Sequence, residues 1–519
     1  MLRPQSRKAP LPKQGGINPQ DDASVAECKA RRCRSKGHNP RGDTSVAECL
    51  GTPLPKLQQI YSLTFGAAMF IDKDFDEAVD YIGSLGVLGW KPGLERFTAL
   101  CERLGSPHKK LKAIHIGGTN GKGSTTAMIS SILKSAGYRV GTYYSPYVYN
   151  IRERVQLDCG IISKEAFARL VNVIRPHAAA IGETDLGHPT EFEVKTALGL
   201  LYFVEQGVDF AVLEVGLGGR LDATNIVTPL VSVITNVTLD HMDYLGDTIP
   251  KIAGEKAGII KEGGHLITAS QDPEALSVMC KSCAERKALM WHVHPCGGHL
   301  THYTVSPVVP GQAYRFPVCE AAGNGRHGLL DVDGMRASYT ALKIGMRGNF
   351  QYANAATAVS AIEALGYKGV DISESSVRAG IESAYLPGRL EVLQQSPTLL
   401  IDGAHNQDSA YKLADALKTS FSYKRLILVM GMVKGHSPRD VAGILSPMAN
   451  VFIATAPDSG RAAPAESVAE VAREHCANVS IVEPVADAVR HALTLAAPDD
   501  LVCVTGSFYT ISEVPRQSS

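Results

Sequence analysis

The run Gly117-Gly118-Thr119-Asn120-Gly121-Lys122-Gly123-Ser124 joins a short apolar stretch, LKAIHI, to a run with helical spacing, STTAMISSILKSAGY. These are the residue types a phosphate requires. Small residues let backbone N–H groups approach, a helix N-terminus points its partial positive charge at the anion, and a lysine reaches the oxygens. The run does not obey G-x-x-x-x-G-K-[ST]. It is one residue short between its glycines, and Gly123 follows Lys122 where Ser or Thr is usual. The strand–loop–helix context is still the one the chemistry needs, so a triphosphate site is expected, with Ser124 or Thr125 open to a magnesium ion. The plain alternative is a tight turn with a surface lysine.

A magnesium–triphosphate pair needs further oxygen donors, and parallel sheets supply them at the carboxyl ends of strands. Glu214 in VLEVGLGG, Asp240 and His241 in TNVTLDH, and Ser145 in TYYSPY all fall at or just after such ends. Each alone reads as a solvated or capping residue; together they place a carboxylate, an imidazole and a hydroxyl at one sheet edge. His241 is unusual near a hard magnesium ion, which prefers oxygen. Lys256, in GEKAGIIKEG, is a surface charge, a phosphate partner, or a lysine turned into an oxygen ligand by carbon dioxide.

Positioning these residues takes strands alternating with helices, which means an α/β fold with a mainly parallel sheet covered on both faces. DFAVLEVGLGG and LVSVITNV read as buried strands. In the helix after the glycine loop, Ala127, Met128, Ser131, Ile132 and Ala136 share a face, and Gly137 ends it. The C-terminal part repeats the alternation. TLLIDGA, RLILVMG, NVFIATA, NVSIVEP and LVCVTGS are strands separated by helix-like stretches, a smaller Rossmann-like α/β domain. Pro387-Gly388 in SAYLPGRLEVL reads as the hinge before it.

A chain of 519 residues has room for two or three domains. Lys+Arg and Asp+Glu balance at 52 each, which excludes a whole-protein bias toward nucleic acid or anionic membrane, and no apolar run reaches membrane-span length. Eleven scattered cysteines fit reduced thiols and a cytoplasmic location better than a disulfide framework. Residues 1–55, poor in apolar side chains and carrying SVAEC twice, read as a disordered extension. Cys280, Cys283, His292, His294 and Cys296 have the look of a zinc set. PEALSVMCKSCAERKA, however, reads as one amphipathic helix and MWHVHP as a strand, so no zinc is expected, and Cys28 and Cys33 are poorer candidates. The glycines of EVGLGGRLDAT lack the acidic residue a dinucleotide site needs, so no NAD is expected.

GTNGKGS, YSPYVYNIRERV, TEFE, EVGLGGRLDATN, TNVTLDHMDYLG, IAGEKAGIIK, GNFQYANAATA, LPGRLEVL, LLIDGAHNQDS and VTGSFY occur in this order. This set resembles the folylpolyglutamate synthase/dihydrofolate synthase family of the Mur-ligase superfamily, over roughly residues 56–515. The family's own loop is G-T-N-G-K-G-[ST], which accounts for the failed consensus. The resemblance implies a P-loop ATPase domain over 56–386 and a C-terminal glutamate-ligase domain over 387–519. It implies an ATP-dependent ligase that makes an acyl phosphate on a folate, or on dihydropteroate, and passes it to L-glutamate. By motif position, Thr119, Asn120, Gly121, Lys122, Gly123, Ser124, Asn354, Arg389 and Asp402 would bind ATP. Ser124, Ser145, Glu214 and His241 would serve two magnesium ions. Lys122, Lys256 (carbamylated) and His405 would be catalytic, and Thr190, Phe192 and Glu193 would meet the pterin-bearing substrate. Small-molecule substrates only, and a monomer, are expected. The sequence departs from the family in Tyr147, where S-P-H is common, and in the charged Glu191. The rivals are a wall-precursor ligase, for which an N-terminal nucleotide-sugar domain is missing, and an ATP-driven switch that ligates nothing.

Overall fold

The computed structural model describes residues 71–89, 91–297, 299–309 and 328–516. The expected extension over residues 1–55, with Cys28 and Cys33, lies outside the described residues. The larger sheet is built from β1 (Ala113–Gly117), β2 (Val140–Tyr143), β3 (Val155–Leu157), β4 (Gly160–Ile161), β5 (Phe210–Glu214), β6 (Val231–Ile234), β7 (His265–Thr268), β8 (Leu289–Pro295), β9 (His302–Val308), β10 (Leu329–Asp333) and β11 (Ser338–Lys343). Their spatial order is β11-β10-β9-β8-β7-β6-β1-β5-β2-β3-β4. The stretch from β8 to β2 is parallel throughout. Antiparallel pairs flank it: β3 and β4 at one edge, the β8–β9 and β10–β11 pairs at the other. The strands at the centre are continuous apolar runs because helices cover both faces.

The helices that matter for the site are α1 (Lys122–Ser135), α2 (Glu191–Glu205), α3 (Ile249–Ala257), α4 (Phe350–Gly366), α5 (Glu374–Ser383) and α6 (Gln407–Thr419). Helix α1 starts at Lys122, two residues before the start expected near Ser124, because Gly121 takes the left-handed φ of 84° that turns the loop into the helix. It ends as expected. Gly137 at φ 87° closes a Schellman motif, with Tyr138 N–H donating to Leu133 O and Gly137 N–H to Lys134 O. The expected single apolar face is a correction: every residue from Gly123 to Leu133 is buried. Helices α4 and α5 pack on α1 opposite the sheet, so the helix has no solvent side.

The second sheet holds β12 (Glu391–Gln395), β13 (Thr398–Ile401), β14 (Leu426–Gly431), β15 (Val451–Thr455), β16 (Val479–Ile481) and β17 (Leu501–Thr505), in the order β12-β13-β17-β14-β15-β16. All five strands read from the sequence are present and parallel. The sixth, β12, is EVLQQ, which begins in the hinge segment and lies antiparallel on β13. Cys280 and Cys283 lie buried in the helix Pro273–Glu285, and His292 and His294 lie buried on β8, as the periodicities required. No helix among the described residues is long and apolar enough to cross a membrane.

Candidate active site

Four parallel strands place the candidate residues by register. Ile116 of β1 pairs with Glu214 of β5, Gly117 with Ile234 of β6, and Tyr143 of β2 with Leu213. The residues that follow are therefore side by side at one sheet edge: the glycine loop, Glu214, the Thr235–His241 segment and Ser145. The loop is bolted to the segment after β6. Thr119 N–H donates to Asn236 O (2.9 Å), Asn120 N–H to Asn236 Oδ1 (2.8 Å), and Thr235 Oγ1–H to Asn120 O (2.6 Å). Gly118 has φ 133°, and a Cβ there would collide with Thr235, so this position needs glycine twice over.

Two amines converge on one oxygen. Lys122 Nζ lies 3.2 Å from Gly118 O and 2.9 Å from Thr119 O, and Lys256 Nζ, from α3, lies 2.9 Å from the same Gly118 O. Burial pulls the Lys122 amine below its ordinary value, opposed by Glu214 and Asp240. Burial, helped by Lys122, takes Lys256 down to about 7. Across the loop, burial pushes Glu214 up to about 7, with Lys122, the Ser145 N–H (3.0 Å), Arg389 and Arg154 drawing it back. The Glu214 carboxylate lies against Gly123, where a Cβ would come within 3.5 Å of it.

Magnesium is the cation the family implies here, and the residues present fit it. Glu214 is a buried carboxylate whose ionised form needs a positive partner, and Ser124 follows the glycine it touches. Ser124 Oγ already accepts from Gln351 Nε2 (3.3 Å), and Asn354 donates to Gln351 Oε1 (2.8 Å) while lying against Gly121. Ser145 Oγ accepts from Arg154 Nη1 (3.2 Å). His241 sits at φ 50° and is 40% exposed, its Nε2 4.0 Å from Asp240 Oδ1. Its ring meets that of His436, which also meets His405, so three imidazoles surround Asp240. Burial acts to raise Asp240, but His241, His405, the Asn406 amide and His436 together hold it below its ordinary value.

The C-terminal domain contributes the opposite wall. Arg389 is half-buried with its guanidinium 4.6 Å from the centre of the Phe508 ring; desolvation works against its charge, and Asp402 and Glu214 work for it. Burial raises Asp402, while Arg389 and the N–H groups of Leu390 and Ala404 (3.0 Å each) hold it down. His405 Nδ1 is 2.8 Å from Gly403 O, so Nδ1 carries the proton and Nε2 the lone pair. Burial lowers this ring to about 4, so it is neutral near pH 7.

Thr190 and Glu193 are used inside the fold. They form a reciprocal cap at the start of α2, and Glu193 receives a two-pronged bond from buried Arg96 (2.8 and 3.0 Å). Phe192 is the one of the three with a ring over the loop, against Gly216 and under the Arg154 guanidinium. Sequence reasoning missed Arg154, Asn236, Gln351, Asn406, Asp408 and His436. None of them had a local signal; even Arg154 ends a short 3-10 helix in which its neighbour Glu153 is buried as well.

A phosphate loop on a large sheet, faced by a smaller Rossmann-like domain across a short hinge, is the arrangement of a Mur-type ligase. Residues 116–362 match the Mur ligase middle domain and residues 388–508 the Mur ligase glutamate ligase domain. The dihydrofolate synthase/folylpolyglutamate synthase of Bacillus subtilis strain 168 is 36% identical over 445 residues, spanning 85% of this chain and 99% of the relative. Folylpolyglutamate synthase of Mycobacterium tuberculosis, solved with ADP and AMPPCP, superposes with a TM-score of 0.73 at 29% identity over 85% of this chain and 97% of that one. A bifunctional folylpolyglutamate synthase/dihydrofolate synthase solved with manganese, AMPPNP and L-glutamate gives a TM-score of 0.69 at 29% identity over 84% of this chain and 96% of the other. The chain belongs to the dihydrofolate synthase/folylpolyglutamate synthase family.

Proposed function

We propose that this protein is an ATP-dependent ligase that adds L-glutamate to a reduced folate and also converts dihydropteroate to dihydrofolate. The observation that carries the reading is the pair of amines, Lys122 and Lys256, meeting at Gly118 O beside buried Glu214, in a chain of this family. A carboxylate is a poor acyl donor. Its oxygen takes the γ-phosphoryl group of ATP as the bond to the β-phosphate breaks, and the amine of L-glutamate then attacks the acyl carbon. Phosphate leaves with the C–O bond and the amine loses a proton.

Thr119 to Ser124 hold the triphosphate, with Lys122 offsetting charge on the transferring group. Asn354, beside the loop, and Arg389 and Asp402, from the far wall, bind ATP. Ser124 and Glu214 would hold one magnesium ion, and Ser145, Glu214 and His241 a second; such ions would neutralise phosphate charge. His405, neutral with Nε2 unprotonated, accepts the proton that the incoming amine sheds. Phe192 packs on the pterin-bearing substrate, and Thr190 with Glu193 fixes the helix that carries it. Lys256 takes carbon dioxide as a carbamate: its amine, at about 7, is partly neutral at physiological pH, as that reaction requires. A carbon NMR spectrum after labelled bicarbonate should show the carbamate, and active protein without that signal overturns the assignment.

The test is ADP release with magnesium, ATP and L-glutamate, comparing tetrahydrofolate with dihydropteroate as acceptor. Turnover with both is expected. Turnover with tetrahydrofolate alone removes the second activity. No turnover with either, from folded protein that binds ATP, returns the switch reading to the front.

A further inference from the structure

The phosphate loop does more than end a strand and start a helix: its Asn120 side chain crosses to the C-terminal domain. Asn120 Nδ2 donates to Asp408 Oδ2 at 2.7 Å and lies 3.3 Å from Asn406 Oδ1. Asn236, from the segment that bolts the loop in place, reaches the same Asp408 oxygen at 3.5 Å. Asn406 Nδ2 donates to Asp240 Oδ2 at 2.8 Å. One small polar cluster thus joins the loop, the segment after β6 and the first turn of α6. Its members are 286 and 288 residues apart in sequence where Asn120 meets Asn406 and Asp408.

Local physics gives Asp408 a second reason to be where it is. It stands in the first turn of α6, where the helix dipole favours an anion, and Lys412 one turn on lies 2.6 Å from the same oxygen. Those interactions would keep an aspartate on any exposed helix start. They do not explain why Oδ2 is aimed at Asn120, nor why the Asn120 amide leaves its own domain for an ionised acceptor, a stronger partner than a neutral one.

We infer that Asp408 is a positioning residue for the ligase reaction: it holds Asn120, and through it the phosphate loop, against the C-terminal domain, so that the two walls of the cleft close on the nucleotide as one. The inference rests on the ligase reading for its kinetic consequence and on geometry for its structural one. Asp408 bonds to the loop through Asn120 and to its own helix through Lys412, so its effect on the reaction runs through the loop. It acts by the fraction of time the loop and the opposite wall are engaged.

The experiment compares Asp408→Ala, Asp408→Asn and Lys412→Ala, reading kcat, KM for ATP, and amide hydrogen exchange of residues 118–121 in the protein without nucleotide. Asp408→Ala should lower kcat about tenfold, the size of one charge-assisted hydrogen bond, with KM for ATP changed by less than about threefold and faster exchange in the loop. Asp408→Asn keeps an oxygen for the Asn120 amide and should recover most of the loss. Lys412→Ala should leave both readouts near wild type. Wild-type kcat and exchange in Asp408→Ala overturn the inference. So does a loss reproduced by Lys412→Ala, which would make Asp408 a helix-surface ion pair only. If the wild-type protein releases no ADP, the ligase reading has failed, and the exchange comparison still decides whether Asp408 holds the loop.

Discussion

The two halves of the large sheet bury polar side chains in opposite ways. Toward β1 and β5, burial lowers the Lys122 and Lys256 amines and raises the Glu214 carboxyl. Toward β8, His292 is bonded to Ser270 O at 2.8 Å, His294 to Ser306 Oγ at 3.0 Å, and Cys283 is packed in the core. Both regions lie on one sheet and obey the same strand and helix periodicities. The first holds its amines and carboxylate at a sheet edge where burial works against their charge, which a fold tolerates at a site that a charged ligand enters. The second hydrogen-bonds both of its histidines to neighbours within the fold.

The contrast predicts that substitutions near β1 cost activity and those near β8 cost stability. The largest effect should come from Lys122→Ala, which ought to lower ATP-dependent glutamate addition by about 10³-fold or more while the melting temperature stays close to wild type. Near-normal turnover in that variant would break the comparison at its centre. Next, Glu214→Gln should reduce turnover about 10²-fold. It should also reverse sign in stability. With the folded-state value at about 7 against an ordinary 4.5, the folded protein prefers the protonated acid. That contribution is full below about pH 4.5 and is lost as pH rises through 7, so the neutral glutamine should gain on wild type between pH 5 and pH 8. Urea unfolding of the unliganded proteins at the two pH values measures this, and parallel pH profiles would sink it.

The smallest effect on activity belongs to His292→Gln, with kcat within about twofold of wild type and stability lower by about 1–3 kcal/mol at pH 7. His292 is held at about 4, chiefly by burial, against an ordinary 6.5. Its contribution is therefore present above about 6.5 and lost as pH falls through 4, so the gap between variant and wild type should narrow in acid. A loss of activity larger than the loss of stability would mean that the β8 region does chemistry after all.

Much of this was legible in the sequence because it is local. The glycine loop, the strands ending in Glu214 and before His241, and all five parallel strands of the second sheet announce themselves within ten residues. Strand β12 was hidden, since antiparallel pairing with β13 depends on where Pro387-Gly388 sends the chain. The burial of α1 on every side was hidden too, because helices α4 and α5, more than 200 residues later, cover the face that would otherwise meet water. The same holds for the site. Lys122 and Glu214 were found from their own motifs. Asp408 could not be, because nothing near it in sequence says that Asn120 will face it. Thr190 and Glu193 carried a capping pattern that competes with a ligand-binding reading, and only Arg96, some 97 residues earlier, shows how completely Glu193 is spent.

Helix α1, sealed between the sheet, α4 and α5, has a consequence for the order in which the molecule comes apart. Gly380 of α5 lies so close to the Ile132 backbone that any larger side chain would force the helices apart. Fraying of α1 would have to open the core itself, so its amides should exchange with solvent only when the whole domain unfolds, and among the slowest in the chain. A helix that cannot loosen by stages passes any push on its first turn to its far end as a rigid rod. From Lys122 to Ser135 that rod is about 20 Å long at 1.5 Å per residue.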